Sequence, residues 1–213
     1  MHKNSKLLFE KYAKEYFHPG MSVLEIGPDR FPSTFCSIVA DSSVTWETLD
    51  IHQNPKLTYT AVSEYNFPIP DNKYDIVLSG QVIEHVRKIW VWIKEVSRVC
   101  KVGGHVITIN PVSWPYHEAP IDCWRTYPEG MRALYEDASL EVILSEWESL
   151  EGVNFRKRIP GRSQERQSKR LRIAYRMLSL FGFPVECAFD TITIGVKINR
   201  PDRPFMQSAE QSR

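Results

Sequence analysis

Met21-Ser22-Val23-Leu24-Glu25-Ile26 is a short run of β-prone residues that stops at Gly27-Pro28-Asp29, a turn whose residues tolerate unusual backbone angles. A helix is expected next, from about Ser33 to Val39, so strand, turn and helix form a first unit. Upstream, Leu8, Phe9, Tyr12 and Tyr16 fall at helical spacing until His18-Pro19-Gly20 breaks the pattern, which puts an amphipathic helix over Ser5 to Phe17. Downstream, Val44 to Ile51 reads as a second strand and Leu57 to Val62 as a short third. Tyr74 to Ser79 is the apolar run that a parallel strand buried on both faces requires. Val86, Ile89, Trp90, Ile93, Val96 and Val99 trace a helical stripe that is expected to end at Gly103-Gly104, and His105 to Asn110 is the next strand. Pro128 opens a helix that runs to about Ala138. Leu140 to Leu144 and Thr191 to Ile198 supply the last two strands.

Strands alternating with helices give an α/β domain around a mostly parallel sheet with right-handed crossovers. Such sheets bind ligands outside the carboxyl ends of their strands. That rule gathers Gly27 to Asp29, Asp50-Ile51, Ser79 to Gln81 and Asn110 to His117 into one neighbourhood. Residues 1–200 read as one domain with a basic helical insertion at about 155–182, followed by a polar tail at 201–213.

The composition, 213 residues with 42% hydrophobic and 25% charged, is that of a globular protein and excludes a disordered or fibrous chain. No run approaches the roughly 20 apolar residues of a membrane helix, and Met1 to Glu10 has no leader pattern, so the cytoplasm is the default setting. Cys36, Cys100, Cys123 and Cys187 have neither metal-ligand nor disulfide-framework spacing and read as small apolar residues; no metal site is expected. The net charge of +1 conceals an asymmetry: Arg156 to Arg176 carries nine basic residues against the single acid Glu165. Such a block is either a solvated helix face or a surface for an anionic partner, whether a phosphorylated substrate, a lipid headgroup or nucleic acid.

A glycine turn after a first strand, with an acid at the end of a second, suits a nucleoside ligand: backbone approaches it closely and the carboxylate accepts from both ribose hydroxyls. One Gly and one Asp also occur in loops by chance. The ordered set is more specific. Val23-Leu24-Glu25-Ile26-Gly27-Pro28, Leu49-Asp50-Ile51, Pro68 to Val77, Val82-Ile83-Glu84-His85-Val86 and Val99-Cys100-Lys101-Val102-Gly103-Gly104 together resemble the class I methyltransferases that use S-adenosyl-L-methionine. The resemblance covers residues 21–145. It is strongest to type-11-like enzymes associated with cell-surface polysaccharide functions, in which a segment like Pro115 to Arg125 followed by Pro128-Glu129-Gly130 recurs.

The resemblance implies a Rossmann-like, mostly parallel seven-stranded sheet flanked by helices, with its last strand antiparallel. It implies S-adenosyl-L-methionine as cofactor, held by Glu25, Gly27, Pro28, Asp50, Ile51, Ser63, Gly80 and Gln81. Glu25 and Gly27 match the acid and first glycine of the family's first motif, and Asp50 its ribose-binding acid. Asp29 and Phe31 stand where further glycines are common, and Asp takes left-handed angles more readily than most residues. The family's adenine-side acid falls at Ser63, with Glu64 next to it. Gln81, Glu84 and His85 match the segment that lies beside the donor.

Methyl transfer to a hydroxyl needs alignment, exclusion of water and removal of a proton, and histidine suits the last task. His117 is the preferred base and His85 the second candidate; either can instead serve the loop by bonding to backbone. Trp114, Tyr116 and Trp124 offer aromatic faces to a sugar ring or a sulfonium, or anchor the loop themselves. Arg125 either clamps an anionic acceptor or pairs with Asp122 to hold that loop. The basic insertion is expected to cap the acceptor site, with peripheral contact to an anionic membrane as the competing reading. The activity expected is O-methylation of a sugar or another polar, anionic acceptor. The alternative is a non-catalytic or regulatory module of the same fold that binds the cofactor without turnover. The partner is a small-molecule or glycan acceptor, nucleic acid is not expected, and the oligomeric state is left open.

Overall fold

The structure, a computed structural model, describes residues 3–113, 116–117, 121–151, 173–174, 177–178, 180–181 and 189–199. The run after Met21 forms β1 (Ser22–Ile26), which pairs in parallel with β2 (Thr45–Asp50) on one side and with β4 (Tyr74–Gly80) on the other. Outside β2 lies the short β3 (Tyr59–Thr60), and β5 (Cys100–Pro111) follows β4 in parallel. The chain then closes the sheet with β6 (Leu140–Glu148) at the edge and β7 (Asp190–Lys197) inserted between β5 and β6, antiparallel to both. The resulting order, β3-β2-β1-β4-β5-β7-β6, is the seven-stranded, mostly parallel sheet that was expected, last strand antiparallel. Because β2 and β4 leave β1 in opposite directions, their loops separate there and open a crevice at the carboxyl ends.

Each face of the sheet carries its own apolar layer. Leu24, Ile26, Val77 and Val106 meet α3 (Ile89–Val99) through Trp92, Ile93 and Val96, and α4 (Pro128–Asp137) through Met131 and Tyr135. On the other face Val23, Ile76, Leu78, Ile107 and Ile194 pack beneath the N-terminal helix and α2 (Thr34–Val39), which contributes Phe35. The alternation of Ile76, Val77 and Leu78 between the two layers is the period of two that makes this strand apolar throughout. The N-terminal helix runs as α1 (Lys3–Leu8), a π-turn (Phe9–Ala13) and a 3-10 turn (Lys14–Tyr16), in place of one regular helix. A buried polar cluster holds it down. The Asn4 amide donates to Asp190 Oδ2 at 2.9 Å, and the Gln81 amide donates to Asp190 Oδ1 at 3.2 Å.

Two expectations are corrected. The helical stripe stops at Val99, and Gly103-Gly104 belongs to β5. Tyr74 pairs with Cys100 and Ile76 with His105, so the intervening chain bulges. Gly103 takes φ +81°, and a Cβ on Gly104 would come within 2.8 Å of the Asp75 carbonyl oxygen. The glycines shape a bulge and do not cap a helix. The third strand is also shorter than Leu57 to Val62, with Val62 fully exposed.

Trp114, the tail at 201–213 and most of the basic insertion at 155–182 lie outside the described residues. Of the insertion, Ile173, Ala174, Met177, Leu178 and Leu180 are helical, and all five side chains are exposed. No helix among the described residues is long and apolar enough to cross a membrane.

Candidate active site

The crevice beside β1 is a cleft of about 690 Å³, a volume typical of small-molecule sites. Its floor and walls include Gly27, Pro28 and Asp29 after β1, Leu49 and Asp50 at the end of β2 with Ile51 and His52 after it, and Gln81, Val82 and His85 after β4. Phe67, Val86, Trp92 and Ile121 add apolar wall, and Glu64 adds a carboxylate.

The turn after β1 is built without the further glycines common in the family. Gly27 takes φ +70°, its N–H donates to the Leu49 carbonyl at 2.9 Å, and a Cβ there would lie 2.4 Å from Val82 Cγ2. Asp29 is not among the residues with positive φ, so left-handed geometry is not what it supplies. Its carboxylate instead accepts from the Thr34 N–H at 2.9 Å and from the Thr34 hydroxyl at 2.7 Å, tying the turn to the start of α2. Ser33 caps that helix by accepting from the Cys36 N–H at 3.0 Å. At the end of β2, Asp50 Oδ1 accepts from the His52 N–H at 2.9 Å, which orients the side chain. Gln81 turns the chain at φ +60° after β4, and its buried Oε1 has no hydrogen-bond partner among the described residues.

Other expected cofactor residues stand behind this surface. Glu25 shares the face of Val23, away from the cleft lining, and its carboxylate accepts from the Ser33 hydroxyl and from Trp46 Nε1. Burial raises its pKa to about 7, against the lowering effect of those two bonds. Gly80 also faces that side, where a Cβ would lie 2.6 Å from the Phe35 ring. Ser63 does not line the cleft and accepts from the Tyr65 N–H at 3.1 Å; its neighbour Glu64 takes the lining position.

On the far side, a loop docks on a 3-10 turn, Ile83–His85. The Cys123 N–H donates to the Glu84 carbonyl at 2.7 Å and Trp124 Nε1 donates to the Val86 carbonyl at 2.8 Å. His85 Nδ1 bonds the Ile121 carbonyl oxygen. These contacts bring His117 edge-to-face against His85, with ring centroids 5.1 Å apart. Asp122 serves His117, since its Oδ2 lies 3.3 Å from His117 Nδ1 and accepts the His117 N–H at 2.8 Å. Arg125 grips both oxygens of Asp122. Burial pushes the Asp122 carboxyl up, but Arg125 and His117 outweigh it and hold it below the usual carboxylate range.

Of the two expected roles, Arg125 therefore performs the pairing with Asp122. Trp124 is half-buried against the core and meets Trp90 edge-on at 6.1 Å, which anchors the loop. Tyr116 is 56% exposed. Glu84, named in the sequence only as part of a motif, is fully buried, and among the described residues neither carboxylate oxygen has a hydrogen-bond partner on another residue. Burial raises its pKa to about 8.

Comparison with known proteins bears on this arrangement. Residues 39–108 match the family model described as a methyltransferase domain. A methyltransferase of Archaeoglobus fulgidus, SAM-dependent by its description, superposes with a TM-score of 0.61 at 16% identity, over 90% of this chain and 92% of that one. This is the class I methyltransferase fold. The phosphoethanolamine N-methyltransferase 2 of Haemonchus contortus, solved with S-adenosyl-L-methionine, superposes with a TM-score of 0.57 at 12% identity, over 92% of this chain and 53% of that one. An uncharacterized methyltransferase of Mycobacteroides abscessus is 32% identical over 102 residues, 41% of this chain and 39% of its own length. The match thus spans well under half of that relative.

S-adenosyl-L-methionine is the cofactor that the matched family and the fold imply, and the cleft fits it. The close approach that only glycine allows at Gly27, the oriented Asp50 carboxylate and the apolar wall of Leu49, Phe67 and Val86 are what a nucleoside with a charged tail needs.

Proposed function

We propose that this chain is an S-adenosyl-L-methionine-dependent methyltransferase that methylates a hydroxyl of a sugar or another polar, anionic acceptor. The observation that carries the reading is one cleft with Gly27 and Asp50 on its cofactor side and His85, backed by His117, on the other. The cofactor supplies a methyl group on a sulfonium. Asp50 holds the ribose diol, Gly27, Pro28, Ile51 and Gln81 approach the ligand, and Glu64 takes the adenine-side place expected for Ser63. Glu25 and Gly80 act from behind, Glu25 through Ser33 on the turn.

The loop of residues 121–125 closes the acceptor side and limits water there. The acceptor's proton is lost at the His85–His117 pair, where Asp122 orients His117 as a base requires. A cytoplasmic setting suits Cys36, Cys100 and Cys123, which are free thiols. The rival reading, a binding module without turnover, has as its motive the residues Asp29 and Phe31 where further glycines are common. It loses that motive because Asp29 and Ser33 complete the turn by other bonds.

The test is formation of S-adenosylhomocysteine from the cofactor when neutral and anionic hydroxylated sugars are offered, with calorimetric titration of S-adenosyl-L-methionine and NADH alongside. Binding of the methyl donor with turnover on an anionic sugar supports the reading. Tight NADH binding with none of the donor contradicts it.

A further inference from the structure

Glu84, His85 and His117 each place one ligand-competent atom within 4.8 Å of the others. Three independent features of this cluster are those of a cation site. First, the Glu84 carboxylate is buried to 0% exposure and, among the described residues, neither oxygen has a hydrogen bond to another residue, a costly arrangement for an acid that has no partner to gain. Second, His85 gives Nδ1 to the Ile121 carbonyl oxygen, which fixes the proton on Nδ1 and leaves the lone pair on Nε2, and Nε2 is the atom facing Glu84 Oε1 at 3.8 Å. Third, the Asp122 carboxylate stands behind His117, with Oδ2 3.3 Å from Nδ1, and Asp122 is itself gripped by Arg125. A carbonyl or carboxylate behind each imidazole is the usual support of metal-bound histidine.

We infer that Glu84, His85 and His117 form a binding site for a divalent transition cation of the Zn²⁺ class. Two imidazoles and one carboxylate suit such ions better than Mg²⁺ or Ca²⁺, which prefer all-oxygen shells. Ligand atoms around one ion stand closer together than 4.8 Å, so the three close in slightly on binding. His85 lines the cleft, so the positions left open on the ion face it. Resting on the methyltransferase reading, the ion, in place of the histidine pair, holds an oxygen of the acceptor and lowers its pKa, so that the proton passes to water in the open cleft as the oxygen takes the methyl group from the sulfonium; His117 is then a ligand and not the base. The acceptor class narrows to hydroxyl compounds that coordinate a divalent cation.

The experiment uses the full chain, stripped with a chelator and dialysed, with no methyl donor present. It is titrated with Zn²⁺ in a calorimeter and with Co²⁺ in a spectrophotometer. One Zn²⁺ per chain and a visible Co²⁺ absorption band are expected. Glu84→Gln, His85→Ala and His117→Ala should each weaken Zn²⁺ affinity about 100-fold or more, and Asp122→Asn by about 10- to 100-fold through orientation of His117. Glu84→Gln keeps the size of the buried side chain and should keep the native circular dichroism spectrum, so loss of metal there is not loss of fold. No bound Zn²⁺, or wild-type affinity in all three folded ligand variants, overturns the inference. Asp50→Ala separates the two readings, for it should weaken the methyl donor about 10- to 100-fold and leave Zn²⁺ affinity unchanged. A chain that binds Zn²⁺ and never the methyl donor upholds this site and refutes the methyltransferase proposal, whereas the reverse result refutes this site alone.

Discussion

Glu25 and Asp50 are both acids near strand ends, yet neighbouring geometry gives them different work. Asp50 stands at the mouth of the cleft, and its carboxyl is oriented by one backbone N–H. Glu25 is nearly inaccessible and holds its proton more tightly than a solvated acid, up to about pH 7 against an ordinary 4.5. Between those two values the folded state binds more protons than the unfolded one, so stability falls as pH rises from about 4.5 to about 7 and levels off above. The contribution is on the order of 3 kcal/mol. Glu25→Gln should remove that slope, leaving the variant close to wild type at pH 4.5 and more stable at pH 8 in urea unfolding. Parallel profiles for the two proteins would show that the Glu25 proton does not matter to folding. At the acceptor side, His85→Ala and His117→Ala should each cut turnover by roughly 10²–10⁴-fold with affinity for the methyl donor unchanged, whether the pair acts on the proton directly or through an ion. Losses of only a few fold would leave both histidines with structural roles.

The turn Gly27–Ser33 shows how an element keeps its shape when a familiar motif is altered. Its only left-handed residue is Gly27, and the remaining curvature is held by the Asp29 and Ser33 side chains on the start of α2. Gly27→Ala adds a methyl against Val82, itself a wall of the cleft, and forces a left-handed angle that costs about 1–2 kcal/mol. It should lower both thermal stability and donor affinity. Asp29→Ala should cost about 1 kcal/mol, as lost helix-start caps do, and weaken the donor by loosening the turn. If calorimetry finds the donor bound equally well by both variants, the turn does not touch it. Sequence reading placed this element correctly but misjudged how Asp29 works, since a turn composition suggests backbone angles more readily than it reveals side-chain bonds. Glu25 could have been faced correctly: it is two residues from Val23 and so shares its side of the sheet.

At the scale of the molecule, the strands were legible because buried parallel strands need apolar runs, and Tyr74 to Ser79 and His105 to Asn110 are such runs. Glu84 was not legible as a buried group. Its burial is produced by residues 121–125, more than thirty positions later, docking on the turn that carries it. The cluster of Asn4, Ser5, Gln81 and Asp190 was hidden for the same reason, since it joins segments up to 186 positions apart. It pins the N-terminal helix to β7 and to the residue that closes β4. Asn4→Ala should therefore cost about 1–3 kcal/mol, the range for leaving buried polar partners unpaired, and a thermal melt would register it. An unchanged melting temperature would mean that the helix is held by Leu8 and Phe9 alone.

On the proposed function, the cleft beside β1 binds S-adenosyl-L-methionine with Asp50 on the ribose. Isothermal titration of the donor into wild-type protein and into Asp50→Ala tests it most directly. A single site is expected in the wild type, with a loss of roughly 1.5–3 kcal/mol in the variant, a roughly 10- to 100-fold weaker affinity, and the fold intact. Equal affinity in a folded Asp50→Ala protein would contradict it.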